Sequence, residues 1–172
     1  YEEYKNVSLQ RAKKEIEELQ KQISNLEIMK LDKIILMLDE MKKAIALLTR
    51  YNDFRAFCKT PADYDHTICN VTAARLFADS TGDKLRFQIS ANRFLGRMIR
   101  IIVGKLLEIG NGILSVDEFE HYLISRETPK TIEPAYPQGL YLSKVVYPYL
   151  DIPPRTEFSA ILQNNMDHWE AV

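Results

Sequence analysis

The chain has 172 residues, 46% hydrophobic and 27% charged, with a formal net charge of -1, which is typical of a globular protein with one sizeable core. It contains no run of about 18 apolar residues and no secretory signal pattern, so neither a membrane span nor secretion is indicated. A net charge near zero also excludes the uniform basic field of many nucleic-acid binders. We therefore expect a cytoplasmic protein and, because the sequence opens with Tyr1 rather than methionine, a piece of a longer one.

The first predicted element is a charged helix in the segment of residues 1–30. Ser8 is its expected N-cap, and one apolar seam runs along it. Seam residues alternate at spacings of three and four, as in the a and d positions of a heptad repeat: Leu9, Ala12, Ile16, Leu19, Ile23 and Leu26. Lys30 and Lys33 end the seam. It can pack as an antiparallel hairpin against the next helix or form an intermolecular coiled coil, and its shortness favours the hairpin.

A second helix is predicted from Leu31 to about Thr49, where apolar residues again recur at spacings of three and four. The following segment, residues 50–59, interleaves aromatic side chains with Arg50, Arg55 and Lys59. Such a mixture occurs on surfaces that stack on RNA bases, but anchoring of Phe54 and Phe57 in the core is the favoured role.

Two cysteines, Cys58 and Cys69, flank His66. The three side chains lack the paired spacing of structural zinc sites, and the absence of a secretory signal argues against a disulfide. We expect two free, buried thiols and no metal.

An antiparallel hairpin is predicted next. Residues 67–78 are rich in β-branched and apolar types, and residues 84–90 alternate strictly, with the turn sequence DSTGD between the two runs. The polar side of the second strand carries Lys84, Arg86 and Gln88, so the outer face of this sheet should be basic.

A helix from Asn92, its expected N-cap, to about Ile109 would carry a narrow arginine stripe. On a helical wheel Arg93, Arg97 and Arg100 fall on one face with Gly104, and apolar residues fill most of the remaining circumference. Three guanidinium groups on a largely buried helix need carboxylates, phosphates or solvent. Gly104 would permit close backbone approach on the same face. Physical reasoning alone leaves open a solvated face, internal ion pairs or an anion-binding surface.

The remaining elements are shorter. Gly110, Asn111 and Gly112 should end the arginine helix, and Ser115 with Glu118 forms a capping-box pattern for a helix to about Ser125. A proline-containing loop precedes a predicted strand from Gly139 to Tyr147. The last twenty residues are interpreted as a tail with a short helix near residues 157–166.

These elements predict an α+β fold in which helices pack on an antiparallel sheet. The expected division is a heptad helix over residues 1–30, a domain over residues 31–150 and a tail over residues 151–172. Positive charge is localised, because residues 84–107 contain six cations and no acid. This uneven placement predicts a localised anionic partner.

The segment from Gln88 to Gly110, QISANRFLGRMIRIIVGKLLEIG, resembles almost position for position a motif of the TruA family of tRNA pseudouridine synthases. Two further patterns of that family occur in the right order: M-x-x-A-x-x-L-L followed by D-F-x-A-F over residues 41–57, and G-L-Y-L-x-x-V-x-Y over residues 139–147. Together they span residues 31–148. The resemblance implies the C-terminal half of an α+β enzyme that isomerises uridine in tRNA, usually as a homodimer, without cofactor or metal.

By the same resemblance, Arg100 stands where the family's arginine forms an ion pair with a nucleophilic aspartate of the other domain. Phe94 and Leu95 would pack beside the uridine pocket, while Arg93 and Arg97 would face RNA phosphate. The basic residues outside this motif that we expect to hold the tRNA are Lys84, Arg86 and Arg55.

The family's R-x-x-x-G-R-T-D-x-G-V-H motif, which carries the catalytic aspartate, does not occur in these 172 residues. This chain alone is therefore expected to be inactive. The competing hypothesis is a non-catalytic RNA-binding or assembly module that uses the arginine residues and recruits a partner through the N-terminal seam.

Overall fold

The computed structural model describes residues 2–150 and 169–172, with an α+β architecture as predicted. Its helices and strands, in chain order, are α1 (Glu2–Leu47), β1 (Val71–Asp79), β2 (Leu85–Ala91), α2 (Met98–Gly110), α3 (Val116–Ser125) and β3 (Trp169–Ala171). Short 3-10 turns lie at Arg55–Phe57, Pro61–Asp63 and Pro137–Gly139. No helix in the described part of the chain is both long enough and apolar enough to cross a membrane. The chain forms two compact units, Tyr1–Asp39 and Glu40–Val172.

Helix α1 is one continuous helix of 46 residues. The predicted hairpin is therefore wrong, because no turn interrupts the chain near Lys30. Residues 24–33 contain neither glycine nor proline, so nothing in the backbone stops the helix where the apolar pattern changes phase. The coiled-coil alternative stays a prediction.

The core of the second unit joins the end of α1 to helices α2 and α3. The ring of Phe57 lies between Phe54 and Phe119, with centroid distances of 6.3 and 5.2 Å. All three rings are fully buried, which confirms that Phe54 and Phe57 anchor the core and excludes them from stacking on bases. The other large, fully buried side chains include Leu48, Met98, Ile101, Ile102 and Leu106.

The sheet has the strand order β2-β1-β3 and is antiparallel throughout. The predicted hairpin of β1 and β2 is confirmed, with an irregularity between Val71 and Ala73. Strand β3 pairs with the other edge of β1 and was missed from the sequence, because three residues are too few to show an alternating pattern. The predicted helix near residues 157–166 lies outside the described residues.

The strand predicted over Gly139–Tyr147 is wrong. Residues 140–146 have no regular secondary structure, and their apolar side chains are exposed. A strand needs a hydrogen-bonded neighbour, and this segment pairs neither with β1, whose edges are taken by β2 and β3, nor with the outer edge of β2 or β3. The apolar composition of the segment does not show whether such a pairing forms.

Both cysteines are free and buried, as expected. Burial is the main reason that the pKa of the Cys69 thiol lies above its ordinary value. No group of His, Cys, Asp or Glu side chains in residues 2–150 and 169–172 is arranged to hold a metal ion.

The capping box at the start of α3 is confirmed. The Ser115 hydroxyl accepts from the Glu118 amide at 3.2 Å, and the Glu118 carboxylate accepts from the Ser115 amide at 3.0 Å. These bonds to Ser115 hold the pKa of Glu118 below its usual range. The cap therefore contributes stability above the unfolded-state pKa of this glutamate, and the contribution is lost as pH falls through the lower folded-state pKa.

We expect Ser115→Ala to lower the free energy of unfolding at neutral pH by about 1 kcal/mol, because one helix N–H loses its acceptor. Urea unfolding of the two proteins at neutral and at acid pH measures the difference. The difference should shrink as Glu118 is protonated, and an equal difference at both pH values would contradict this account of the cap.

Candidate functional site

Helix α2 begins at Met98 with Arg97 as its N-cap, five residues later than the predicted N-cap Asn92. Asn92 is not its N-cap: its side-chain oxygen accepts from the Asn70 amide at 2.7 Å, next to the start of β1. The arginine stripe is therefore corrected: Arg100 lies in the first turn of α2, Arg97 immediately precedes the helix, and Arg93 belongs to the loop before it.

Arg97 is the N-cap residue of α2 and has a left-handed backbone, with φ 62° and ψ 3°. Its carbonyl accepts from the Ile101 amide at 3.0 Å, so the helix starts directly from this conformation. A left-handed backbone at a residue other than glycine costs about 1–2 kcal/mol and is common at functional positions. The exposed Arg97 side chain is thus projected from a fixed, strained backbone.

The loop between β2 and α2 is held by Tyr64. The Tyr64 hydroxyl accepts from the Gly96 amide at 2.8 Å, and the Arg93 guanidinium lies 5.7 Å from the centre of the Tyr64 ring. Arg93 Nη1 also lies 3.5 Å from His66 Nε2. These contacts orient Arg93 by cation–π attraction and assign His66 to the same polar cluster.

Arg100 is half-buried and is clamped to the backbone of residue 135. Its Nε donates to the Ala135 carbonyl at 2.6 Å, while the Ala135 amide donates to the Arg100 carbonyl at 2.9 Å. Among the described residues no carboxylate forms an ion pair with Arg100. A guanidinium has five N–H donors, so this bond fixes the group and leaves its terminal nitrogens available to an anion.

The segment that clamps Arg100 lies directly against α2 at Gly104. A Cβ at Gly104 would overlap the Glu133 carbonyl oxygen, so the close approach expected at this glycine is made by the chain's own backbone. Lys105 fixes the same segment: its Nζ donates to the Thr131 carbonyl at 2.9 Å and to the Glu108 carboxylate at 2.8 Å. Lys105 is only 2% exposed and is therefore not part of the basic surface.

A shallow cleft lies beside this clamp. Two cationic side chains, Lys59 and Arg97, line it together with Ile101, Ile132 and Pro134. With two cationic side chains in its lining, the cleft carries positive charge that would attract an anionic group.

The other predicted site residues fall into different environments. Phe94 is 39% exposed, whereas Leu95 is buried in the core. Arg86 lies against the Trp169 ring of β3, with 4.0 Å between the guanidinium carbon and the ring centre. Lys84 is exposed at the β1–β2 turn beside Asp79, and Arg55 is exposed in its 3-10 turn.

Sequence reasoning missed two structural partners of the site, Tyr64 and Ala135. Neither belongs to a pattern that marks it, since one acts through a hydroxyl from a distant loop and the other through its backbone. The sequence marked Lys59 only as one of several cations among aromatic residues and did not predict that it lines a cleft.

Comparison with known proteins decides the family. The model of the tRNA pseudouridine synthase family matches residues 44–148, more than half of the chain. The chain belongs to the tRNA pseudouridine synthase family. The match contains Arg100 and Gly104 as well as the whole loop before α2.

Curated proteins named tRNA pseudouridine synthase A are similar to this family member. The protein of Porphyromonas gingivalis is 38% identical over 110 residues, which cover 64% of this chain and 44% of the relative. The proteins of a Geobacillus species and of Chlorobaculum tepidum are 36% and 39% identical, with 64% and 62% of this chain and 44% and 42% of the relatives covered. The chain thus spans less than half the length of the curated relatives it matches.

Proposed function

We propose that this chain is the RNA-cradling C-terminal part of an enzyme that converts uridine to pseudouridine in tRNA. The observation that carries the proposal is Arg100, a half-buried guanidinium clamped by Ala135 and without a carboxylate partner among the described residues. Family membership supplies the reaction, since the similar proteins are named tRNA pseudouridine synthase A.

In this proposal Arg100 receives a catalytic aspartate from sequence outside these 172 residues. Because Nε is already bonded to Ala135, the carboxylate would meet the two terminal nitrogens of the guanidinium end-on. The ion pair would keep the aspartate ionised and aimed at the nucleoside. The aspartate attacks the nucleoside, the glycosidic bond between nitrogen one and the ribose breaks, and the uracil is rejoined to the ribose through carbon five. Carbon five then loses its hydrogen to solvent and the aspartate is released, with no cofactor or metal.

The same proposal assigns the binding of RNA to the surroundings of Arg100. Arg97 and Lys59 would hold a phosphate in their cleft, and Arg93 would contact the backbone from its position on Tyr64. Phe94 is exposed enough to contact the base, whereas Leu95 would act by packing beneath it. Lys84, Arg86 and Arg55 would add contacts further along the tRNA.

Three further parts of the proposal rest on family membership and the sequence. The enzyme would work in the cytoplasm, where tRNA is modified, and would assemble as a homodimer. The N-terminal heptad helix would be an appendage to the catalytic domain of residues 31–150, and residues 151–172 would be a tail whose strand β3 pairs with β1.

The test is tritium release from uridine-labelled tRNA. The chain is assayed alone and mixed with a separately expressed N-terminal half that carries the G-R-T-D motif. Activity only in the mixture is the expected result, because the aspartate and Arg100 then come from different polypeptides. A folded, associated mixture without activity would contradict the proposal and favour the non-catalytic RNA-binding module.

We expect Arg97→Gly to weaken binding of tRNA to the chain and to lower the salt slope of the binding constant by about one contact. Glycine accepts the left-handed backbone of Arg97, so the change removes a cation while keeping the start of α2. Filter binding across a salt series measures both quantities.

The matched control is Arg126→Gly, which removes another arginine with a left-handed backbone, φ 61°, at the end of α3. Its guanidinium lies 3.3 Å from Asp53 and is therefore engaged within the protein. We expect its salt slope to equal that of the unmodified chain. Equal losses in both variants would mean that the Arg97 cleft is not a specific phosphate contact.

A further inference from the structure

The first part of α1 carries an apolar seam that has no role in the proposed function. Ile16, Leu19, Ile23 and Leu26 are each more than half exposed. They continue the heptad positions of Leu9 and Ala12, and charged or amide side chains occupy most positions between them. Four large apolar side chains in one line on a helix are expected to be covered in solution.

We propose that this seam, residues 9–26, joins two copies of the chain as a parallel, two-stranded coiled coil. The a positions are Leu9, Ile16 and Ile23, and the d positions are Ala12, Leu19 and Leu26. β-Branched isoleucine at a with leucine at d is the combination that favours parallel dimers over larger assemblies. In a parallel arrangement the residue types at the seam therefore favour two strands.

The flanking side chains are compatible with self-pairing. In a parallel pair each g position faces the e position five residues later on the other helix. The facing pairs are then Glu15 with Gln20 and Gln22 with Glu27. Neither is a like-charge pair, so a second copy of the same sequence is accepted without repulsion.

The seam also has a defined end. The next a and d positions are Lys30 and Lys33, and in a parallel pair each lysine would meet its own copy across the axis. Such layers repel, so the pairing stops after Leu26 and cannot slide by a heptad without burying lysine. The lysines therefore fix the register.

Continuity of α1 lowers the cost of this association. A short helix on its own has only marginal stability in water, because its first turn is costly to form. Here the same helix continues to Leu47, and its residues Met41, Ala44, Ile45 and Leu47 are buried in the second unit. Partners that are already helical lose less conformational freedom when they pair.

Two isoleucines of equal exposure allow a matched test. Ile23, 57% exposed, occupies an a position, whereas Ile28, 55% exposed, occupies the f position on the opposite face. The mass of the full chain is measured by sedimentation velocity across a wide range of concentration for the unmodified protein, Ile23→Lys and Ile28→Lys. Circular dichroism confirms that each variant keeps its helices.

The expected result is self-association that weakens on dilution for the unmodified chain and Ile28→Lys, and a smaller mass at the same concentrations for Ile23→Lys, whatever association residues 44–148 make by themselves. A monomeric unmodified chain, a trimer, or equal effects of the two lysine substitutions would overturn the proposal. This outcome is independent of catalysis, because it needs neither tRNA nor the N-terminal half.

Direction is tested by disulfide cross-linking of Ala12→Cys and Leu26→Cys, each in a separate protein. In a parallel pair both d positions meet their own copies, so both variants form covalent dimers on oxidation. An antiparallel pair can bring at most one of the two positions to its own copy. Lys21→Cys, at an outer f position, is the control that should not cross-link, and the native cysteines are buried.

Discussion

Arg100→Ala is expected to lower kcat for pseudouridine formation by roughly 100- to 1000-fold in the enzyme reconstituted from this chain and its N-terminal half. The guanidinium is clamped by Ala135 and, under the proposed function, pairs with the catalytic aspartate, so its loss would remove charge where the reaction takes place. Binding of tRNA should change little, because one cation is lost among many contacts to phosphate. Single-turnover tritium release and filter binding measure the two effects separately.

Arg100→Lys is the sharper variant. Lysine keeps the positive charge but is a point donor that cannot bond Ala135 and receive a carboxylate end-on together. We expect kcat to fall nearly as far as in Arg100→Ala. If both variants lose affinity for tRNA as strongly as they lose kcat, Arg100 is a phosphate contact and not the partner of the aspartate.

Gly104→Ala should lower the free energy of unfolding by about 1–3 kcal/mol, as expected for overpacking against backbone. The sign is informative, because alanine in place of glycine inside an unhindered helix would raise stability by about 1 kcal/mol. The added methyl group would meet the Glu133 carbonyl and force residues 133–135 away from α2. Since Ala135 holds Arg100, kcat should fall as well.

The control is Gly139→Ala. A Cβ at Gly139 meets nothing within 4 Å, so stability should stay within about 0.5 kcal/mol of the unmodified chain. Urea unfolding of both variants decides the matter. Stabilisation by Gly104→Ala would show that the segment moves aside without cost and that the clamp on Arg100 is loose.

The parts of the fold that could be predicted are those determined by residues close together in the sequence. The β1–β2 hairpin follows from alternation and a turn, the α3 cap from Ser115 and Glu118, and the need for glycine at 104 from its face of the helix. In each case the deciding interaction joins residues close in the chain or depends on one face of one element.

The predictions that were wrong concern elements whose limits are set by contacts with residues distant in the sequence. The start of α2 was set too early because residues 92–97 have apolar spacing compatible with a helix. The Tyr64 hydroxyl, 32 residues earlier in the chain, instead binds the Gly96 amide, and Asn92 binds Asn70. Likewise the apolar pattern of residues 139–147 indicates a strand, but no pattern states whether a neighbouring strand is present.

The Ala135 amide makes the state of Arg100 observable without substrate. This amide lies in a segment without regular secondary structure, where amide protons usually exchange with solvent quickly, yet it donates to the Arg100 carbonyl. Its exchange rate therefore measures how often the segment lifts from α2. In the resting protein, slow exchange at this single position would mean that Arg100 is preorganised before any RNA arrives.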